Sequence, residues 1–342
     1  MNTWRFSISI FSRVLTWLVL LYVPKAIALT PAEIAAGQDH AEQVQREQQI
    51  RREEQLKRDL QFRKQRSRIP IPEIAKPKGE EGPCRDIRKV NIEDVKLLRS
   101  AAVEVIAAKY RNRCLDVPKI EKLMADITTA YFKKGYIAVR AYLPEQDLTT
   151  GVLTIKVIEG KVEKINVIDG RGGSSVNVTT AAPWVIGKPF NLRDFEQALD
   201  QINRLSSNNA TFDIQPGTDP GDSIVAIGNK PSRRLRLGLT YDDHGSPSTG
   251  EYQKAVNISL DNPLGLNDFL SVTNRYTDPY DTLEDSAESN SLTYVVPFGY
   301  WTATLNMSES NYTSAFLAAS GTMLHTHGDS KEKSRQLDYP SK

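Results

Sequence analysis

The chain has 342 residues, which is long enough for two or three domains that each bury a core. Its formal net charge is +2, from 44 Lys and Arg against 42 Asp and Glu, so charge gives no case for nucleic acid or an acidic substrate. The hydrophobic share of 39% indicates that most of the chain is ordered.

The first 28 residues have the layout of a secretory signal peptide. Arg5 and Arg13 flank an apolar run over residues 14–23, and Ala26 and Ala28 supply small residues two apart. Cleavage is therefore expected after Ala28. The alternative is an uncleaved membrane anchor, but the apolar run is shorter than the ~20 residues that a spanning helix needs.

Residues 29–68 form a polar segment that is dense in Gln, Glu, Arg and Lys. Its composition favours a helix, but its apolar residues are too sparse to form a stripe that buries in an ordinary core. Two interpretations stay open: a solvated or partly disordered helix, and a polar helix in a polar environment such as a water-filled pore. The Pro and Gly residues over 69–82 predict a linker.

Residues 83–159 predict a small α+β module with the order strand, helix, helix, strand, strand. The expected elements are a short strand over 87–92, a helix capped by Asp94, a helix that opens at Val117 and stops at Gly135, and strands over 136–143 and 152–159.

Residues 160–230 repeat this order. The expected elements are a strand from Val162, a turn over 169–174, a short helix near Trp184, a helix capped by Asn191 with Asp194 in its first turn, and strands over 211–215 and 223–227.

Beyond Pro231 the pattern changes to strict alternation of apolar with small polar residues. Segments of about ten residues with this period are typical of a transmembrane β-barrel. A soluble antiparallel sheet with one wet face gives the same pattern, and the predicted signal peptide favours the membrane. The tail from Gly321 alternates poorly.

Cys84 and Cys114 are the only two cysteines, and export would place them in an oxidising compartment. Redox catalysis would need a C-x-x-C spacing and a metal site would need more ligands, so a structural disulfide is predicted. His325 and His327 lack a third ligand in the sequence. No motif of catalysis or nucleotide binding is present, so we expect no enzyme, no catalytic residue, no cofactor and no metal.

The segment "CLDVPKIEKLMADITTAYFKKGYIAVRAYLPEQDLTTGVLTIKVIEGKVEKI" resembles the first POTRA domain of two-partner secretion transporters, the haemolysin secretion/activation family. "GKPFNLRDFEQALDQINRLSSNNATFDIQPGTDPGDSIVAI" resembles the second POTRA domain, and "TGEYQKAVNISLDNPLGLNDFLSV" resembles the first barrel hairpin. The positions that carry the motifs are Gly135, Tyr136, Pro144, Gln146, Asp147, Gly151, Glu159, Gly160, Asn191 and Asp194. We expect mostly folding roles for them, with Gly135 and Gly160 at positive φ.

The resemblance implies a fold that is α+β and then all-β: POTRA domains over 83–159 and 160–230, then strands of a transmembrane β-barrel over 231–342. It implies an outer-membrane transporter that exports, and in some members activates, a large partner exoprotein such as a haemolysin or an adhesin. The POTRA domains would bind that partner in the periplasm, partly by strand addition to a sheet edge, while the polar helix plugs the pore. No nucleic acid partner is implied, and the barrel assembly machinery is a partner if the barrel is complete.

The sequence departs from the family pattern in its length. The family barrel has sixteen strands, whereas five or six are expected after Pro231, and an open sheet edge is not satisfied in lipid. The sequence is therefore expected to be a C-terminally truncated or interrupted product. The alternative function is a soluble periplasmic POTRA binding module, or a non-functional remnant without a pore.

Overall fold

The structure is a computed structural model that describes residues 82–169, 175–246, 249–278, 285–317 and 321–339. The predicted signal peptide with Ala26 and Ala28, the polar helix, and the linker up to residue 81 lie outside these residues. Within the described ranges, no helix has the length and apolar character needed to span a membrane.

The first module packs two helices against a three-stranded sheet. Its elements are β1 (Arg85–Ile87), β2 (Lys89–Glu93), α1 (Ser100–Ala108), β3 (Arg113–Leu115), α2 (Val117–Phe132), β4 (Val139–Tyr142), a 3-10 helix (Leu148–Thr150) and β5 (Val152–Glu159). The sheet order is β2-β5-β4, with β2 parallel and β4 antiparallel to β5. The predicted order of strand, two helices and two strands is confirmed.

A two-stranded sheet of β1 and β3 adds to this order and was not predicted. A disulfide joins Cys84, just before β1, to Cys114 within β3, so the covalent link and the strand pairing hold the same two segments. The strands have only three residues each, which is too short for a periodic sequence signal.

The prediction that Asp94 caps the first helix was wrong. Asp94 has φ +62, a left-handed conformation, and the helix begins six residues later at Ser100. The second helix begins at Val117 as predicted, because Asp116 accepts a hydrogen bond from the Lys119 N–H at 3.0 Å and Pro118 stands in the first turn.

The second module repeats the architecture with a shorter first helix. Its elements are β6 (Val162–Asp169), α3 (Val178–Ala181), α4 (Leu192–Asn203), β7 (Ala210–Pro216) and β8 (Ser223–Asn229). The sheet order is β6-β8-β7, again with one parallel and one antiparallel pair. The helix predicted near Trp184 lies upstream, because Asn177 caps it and Pro183 follows its end.

Beyond Pro231 the described chain forms one antiparallel sheet in which sequential strands are neighbours. The strands are β9 (Leu235–Asp242), β10 (Gln253–Asp261), β11 (Phe269–Thr277), β12 (Ser286–Phe298), β13 (Trp301–Leu317) and β14 (Met323–Asp338). A strand is present after Gly321 although the sequence alternates poorly there. β14 pairs with β13 over sixteen residues, since backbone hydrogen bonds to a long neighbour do not require side-chain alternation.

One face of this sheet is apolar and turned to the outside. Along β9 the side chains of Leu235, Leu237, Leu239 and Tyr241 are 60–72% exposed. The cross-strand partners on the same face include Ile258 and other apolar residues of β10, and the rows continue onto β12. Such exposure of large apolar side chains in regular rows marks a contact surface.

Candidate functional site

Backbone atoms of the two modules approach each other closely at Gly160. Its N–H donates to the Ala138 carbonyl at 3.0 Å, and its carbonyl accepts from the Phe190 N–H at 2.9 Å. A Cβ at this position would lie 1.9 Å from the Gly221 carbonyl oxygen. The predicted positive φ is present at Gly135, at +88, but not at Gly160, where close packing of three backbone segments excludes any side chain.

Glu159 ties the first module together just before this joint. Its Oε1 accepts hydrogen bonds from the Tyr131 hydroxyl at 2.6 Å and from the N–H groups of Lys96 and Leu97 at 2.8 and 2.9 Å. The carboxylate thus fixes the loop between β2 and α1 against α2. Burial, and then this carboxylate, raises the pKa of the Tyr131 phenol.

The Pro144–Gly151 motif closes the connection between β4 and β5. Gln146 accepts from the Thr154 N–H and donates to the Thr154 carbonyl, both at 2.7 Å, so its amide substitutes for a strand residue beside β5. Asp147 caps the 3-10 helix by accepting from Thr149 N–H at 2.9 Å. Gly151 ends that helix at φ +73. These motif residues make folding contacts.

The start of α4 links the first module, the second module and the sheet. Asn191 caps the helix by accepting a hydrogen bond from the Arg193 N–H at 3.0 Å, and the Leu192 N–H donates to the Gly135 carbonyl at 2.8 Å. Asp194, in the first turn, accepts a hydrogen bond from the Tyr300 hydroxyl at 2.6 Å. Burial, and then Asp194, raises the pKa of Tyr300.

The second module binds the β10–β11 turn of the sheet through amide side chains. Asn267 has φ +58, and its Nδ2 donates to the Asn177 carbonyl at 2.6 Å and to the Thr180 hydroxyl at 2.8 Å. Its Oδ1 accepts from the Asn177 N–H at 3.0 Å. The cap of α3 and the turn of the sheet therefore share one hydrogen-bond network, which is buried at Asn267.

The second module also binds the β12–β13 turn. Gln201 of α4 is almost fully buried and donates to the Gly299 carbonyl at 3.1 Å and to the Thr302 hydroxyl at 3.2 Å. The Gly299 N–H donates to the Thr180 carbonyl at 2.7 Å. Both turns at this end of the sheet are therefore held by the same module.

A charged contact completes the attachment. Asp261 at the end of β10 is fully buried and accepts two hydrogen bonds from the Arg236 guanidinium, at 2.7 and 2.8 Å. It also accepts from the Ser207 N–H at 2.8 Å. A buried carboxylate with a bidentate partner and a backbone donor is well satisfied, so the contact fixes orientation as well as position.

We expect Tyr300→Phe to lower the free energy of unfolding by about 1–2 kcal/mol, because it removes a hydrogen bond to a carboxylate while keeping the ring. The measurement is urea denaturation of the full chain in detergent. Tyr339→Phe is the matched control, since it keeps the ring contact with Tyr300 and removes an exposed hydroxyl. Equal stabilities of the two variants would contradict this account of the contact.

The first module is expected to lose stability in alkaline solution. Burial, and then a 3.0 Å hydrogen bond to Asp126, raises the pKa of Tyr110 to about 12. The pKa of Tyr110 in the unfolded chain is ~10, so the contribution of this phenol to the free energy of unfolding is complete below pH ~10. Between pH ~10 and ~12 only the unfolded phenol ionises, and this contribution falls.

Urea denaturation of the full chain at several pH values checks this expectation. Tyr110→Phe should show a shallower loss of stability above pH ~10, by the equivalent of about one proton. Tyr131 contributes its own part of the slope, so some alkaline loss remains in the variant. If stability falls with pH equally steeply in the wild type and in Tyr110→Phe, ionisation of Tyr110 does not contribute to the alkaline loss of stability.

The structure brings no metal-binding cluster together in the residues that it describes. His325 and His327 lie on β14, and no group of three or more His, Cys, Asp or Glu side chains there is arranged to hold a metal ion. The residues that attach the second module to the sheet, Asn177, Gln201, Asp261 and Asn267, were missed in the sequence. Only Asn177 carries a local signal, because asparagine is favoured at helix N-caps.

The fold is a pair of POTRA domains followed by strands of an outer-membrane type β-barrel. Residues 86–160 match the family description "POTRA domain, ShlB-type", residues 161–216 match "POTRA domain", and residues 221–340 match "Haemolysin secretion/activation protein ShlB/FhaC/HecB". The chain belongs to this haemolysin secretion/activation family, as the sequence motifs predicted.

Individual relatives agree with this assignment. The outer membrane transporter CdiB of Dickeya dadantii (strain 3937) is 35% identical over 250 residues, which cover 73% of this chain and 44% of the relative. The hemolysin transporter protein HpmB of Proteus mirabilis is 34% identical over 232 residues, or 67% and 40% of the two chains. The solved structure of CdiB from Escherichia coli superposes with a TM-score of 0.76 at 30% identity, covering 91% of this chain and 56% of that one. The chain thus spans about half the length of the relatives it matches.

Proposed function

We propose that the chain acts in an outer-membrane transporter that recognises one large secreted exoprotein and exports it by two-partner secretion. The observation that carries the proposal is the attachment of the second POTRA domain to two turns at one end of a sheet whose outer face is apolar. This arrangement supports a protein-binding role for the module at the mouth of a membrane-spanning structure. The relatives described above are named as outer membrane and hemolysin transporters.

The rows of exposed apolar side chains on the outer face of the sheet support a surface that faces lipid. On β9, Leu235, Leu237 and Leu239 stand on the outer face while Arg236 on the other face binds Asp261. Apolar residues outside and polar residues inside, in alternation, are what a barrel in lipid requires. We place the POTRA domains in the periplasm on this basis, and we propose no enzymatic role.

The edge strand β4 supports partner binding by strand addition. The Gly160 N–H to Ala138 carbonyl bond defines a hydrogen-bonded pair, so alternation places the backbone groups of Arg140 towards β5 and those of Ala141 towards the open edge. Tyr142 and Leu143 beside this edge are each 41% exposed. An extended segment of the exoprotein can therefore pair with free backbone groups and contact two apolar side chains.

The remaining assignments follow from the same proposal. We place a signal peptide at residues 1–28, a plug helix at 29–68 and a linker at 69–82. The POTRA domains then cover 83–159 and 160–230, and the barrel strands follow from 231. The motif residues keep the binding edge in place through folding contacts, and we assign exoprotein contact to exposed residues of β4 and α2.

Ala141→Pro tests the binding edge. Proline removes an N–H that faces the open edge and leaves the ladder to β5 intact, a substitution that edge strands tolerate. The purified full chain is titrated with the N-terminal secretion domain of an exoprotein that a two-partner secretion transporter of this family exports. We expect affinity to fall at least tenfold for Ala141→Pro and to stay unchanged for Ala141→Ser, which keeps the N–H.

Equal affinities of the wild-type and Ala141→Pro chains, with unchanged circular dichroism, would exclude this edge as the binding site. Membrane insertion is tested separately by heat-modifiable migration of the full chain on a gel. A chain that binds the exoprotein but shows no heat-modifiable form would be a soluble POTRA binding module instead of part of a pore.

A further inference from the structure

The loop between α3 and α4 exposes large apolar side chains next to the sheet. Trp184 is 77% exposed and Ile186 is 60% exposed, although both side chains are normally buried in a soluble domain. The Trp184 indole packs edge-on against the ring of Phe298, with the ring centroids 5.3 Å apart. The second POTRA domain therefore presents an indole at the end of β12.

The backbone at Trp184 is held in an unfavourable conformation. Its φ is +62, which is a rare and strained conformation for a bulky residue. Hydrogen bonds fix the loop just beyond it, since the Gly187 N–H donates to the Val162 carbonyl at 2.8 Å and the Lys188 N–H to the Val185 carbonyl at 3.1 Å. A strained backbone that exposes an indole to water is destabilising unless another surface covers that indole.

The surroundings of Trp184 indicate which surface this is. Phe298 lies on the outer apolar face of the sheet, and its cross-strand partner is Trp301. The ring centroid of Trp301 lies 4.8 Å from that of Tyr339. Trp184, Phe298, Trp301 and Tyr339 form an aromatic cluster, and each of them is at least 43% exposed. Trp and Tyr rings concentrate where the hydrocarbon of a membrane meets its headgroups.

The position of Phe298 along β12 agrees with a location at the border between hydrocarbon and headgroups. On β12 the outer apolar face runs from Leu292 to Phe298, six residues apart, which corresponds to roughly 20 Å along the strand. The apolar band of bacterial barrels is ~25 Å tall and is bordered by aromatic residues. Phe298 and the indole against it therefore lie at the border of the band that faces the POTRA domains.

We infer that the second POTRA domain is itself a membrane-contacting domain, with the Trp184 indole inserted among the lipid headgroups of the periplasmic leaflet. Ile186, two residues further on, adds a second apolar side chain to the same exposed loop. The inference rests on the proposed function, because it requires the sheet to be in a membrane. It adds a lipid contact from a domain outside the barrel wall, which restrains the domain relative to the membrane plane.

Fluorescence quenching tests the inference. The full chain has four Trp, and a variant with Trp4, Trp17 and Trp301 replaced by Phe keeps only Trp184. It is reconstituted into phosphatidylethanolamine and phosphatidylglycerol vesicles with lipids brominated either near the headgroup or near the chain end. Emission of Trp184 should be quenched about twofold more by the shallow label than by the deep one, as expected for an interfacial indole.

Two further variants make every outcome decisive. One keeps only Trp301, on the sheet, and the other carries Val105→Trp as its sole indole, on an exposed site of α1 in the first module. Quenching at Trp301 but not at Trp184 would overturn the inference and leave the proposed function intact. Absence of quenching at both would overturn the inference together with the membrane role, and equal quenching at Val105→Trp would show non-specific adsorption and also overturn it.

Discussion

Gly160→Ala is expected to destabilise the pair of POTRA domains by more than about 3 kcal/mol. The new methyl group would lie 1.9 Å from the Gly221 carbonyl oxygen and 2.4 Å from the Ala138 carbonyl oxygen. Both obstacles are backbone atoms, so no rotamer change can make room, and the overlap exceeds ordinary overpacking. The measurement is the urea midpoint of the full chain, followed by limited proteolysis across residues 160–161.

Gly228→Ala is the matched control for this substitution. Gly228 lies in β8, has no positive φ, and an added Cβ would meet only the Thr211 hydroxyl at an ordinary 3.6 Å. We expect that variant to be neutral or slightly stabilising, by less than about 1 kcal/mol. If Gly160→Ala unfolds at the same urea concentration as Gly228→Ala, the close approach of the two modules at this residue is excluded.

Glu159→Ala is expected to cost about 3 kcal/mol because it removes one oxygen that serves three donors. The Tyr131 hydroxyl, which is fully buried, would lose its partner, as would the Leu97 N–H, which is partly buried. A buried donor without a partner costs roughly 1–3 kcal/mol, whereas the exposed Lys96 N–H can bind water instead. Urea denaturation of the full chain measures the loss.

Glu159→Gln distinguishes the contribution of the hydrogen-bond acceptor from that of the negative charge. All three donors bind Oε1, and the glutamine side chain offers a carbonyl oxygen in that place, so we expect a loss of only about 1 kcal/mol. Glu145→Ala removes an exposed carboxylate from the same module and should change stability by less than about 0.5 kcal/mol. A loss for Glu159→Gln as large as for Glu159→Ala would mean that charge, not the shared acceptor, stabilises this loop.

Local signals in the sequence were enough to predict most of the helices and strands of the two modules. The spacing of Ile120, Leu123, Ile127 and Tyr131 predicted α2, and all four are buried in the core. Asn191 was predicted as a helix cap from its place before a periodic segment, and its side chain accepts a hydrogen bond from the Arg193 N–H. These features depend only on residues within a turn or two of each other.

Features that depend on distant residues were missed or misread. Asp94 looks like a cap in sequence, but Glu159, more than sixty residues away, supplies the acceptor for the loop after it. Gly160 looks like a turn glycine in the sequence, whereas its role is set by close contact with the backbone of Gly221, which is distant in the sequence. Gln201 binds the Gly299 carbonyl across 98 residues, a separation at which periodicity carries no information.

The joint between the POTRA domains has a consequence for how such proteins diversify. Gly160, Ala138, Phe190 and Gly221 meet there through main-chain atoms, and side chains are excluded only at Gly160 and at Gly221, which has φ +91. Substitutions on the exposed strands and helices can therefore accumulate without altering the angle between the domains. The surfaces of the two domains can thus change in sequence while their spacing and relative direction are inherited unchanged.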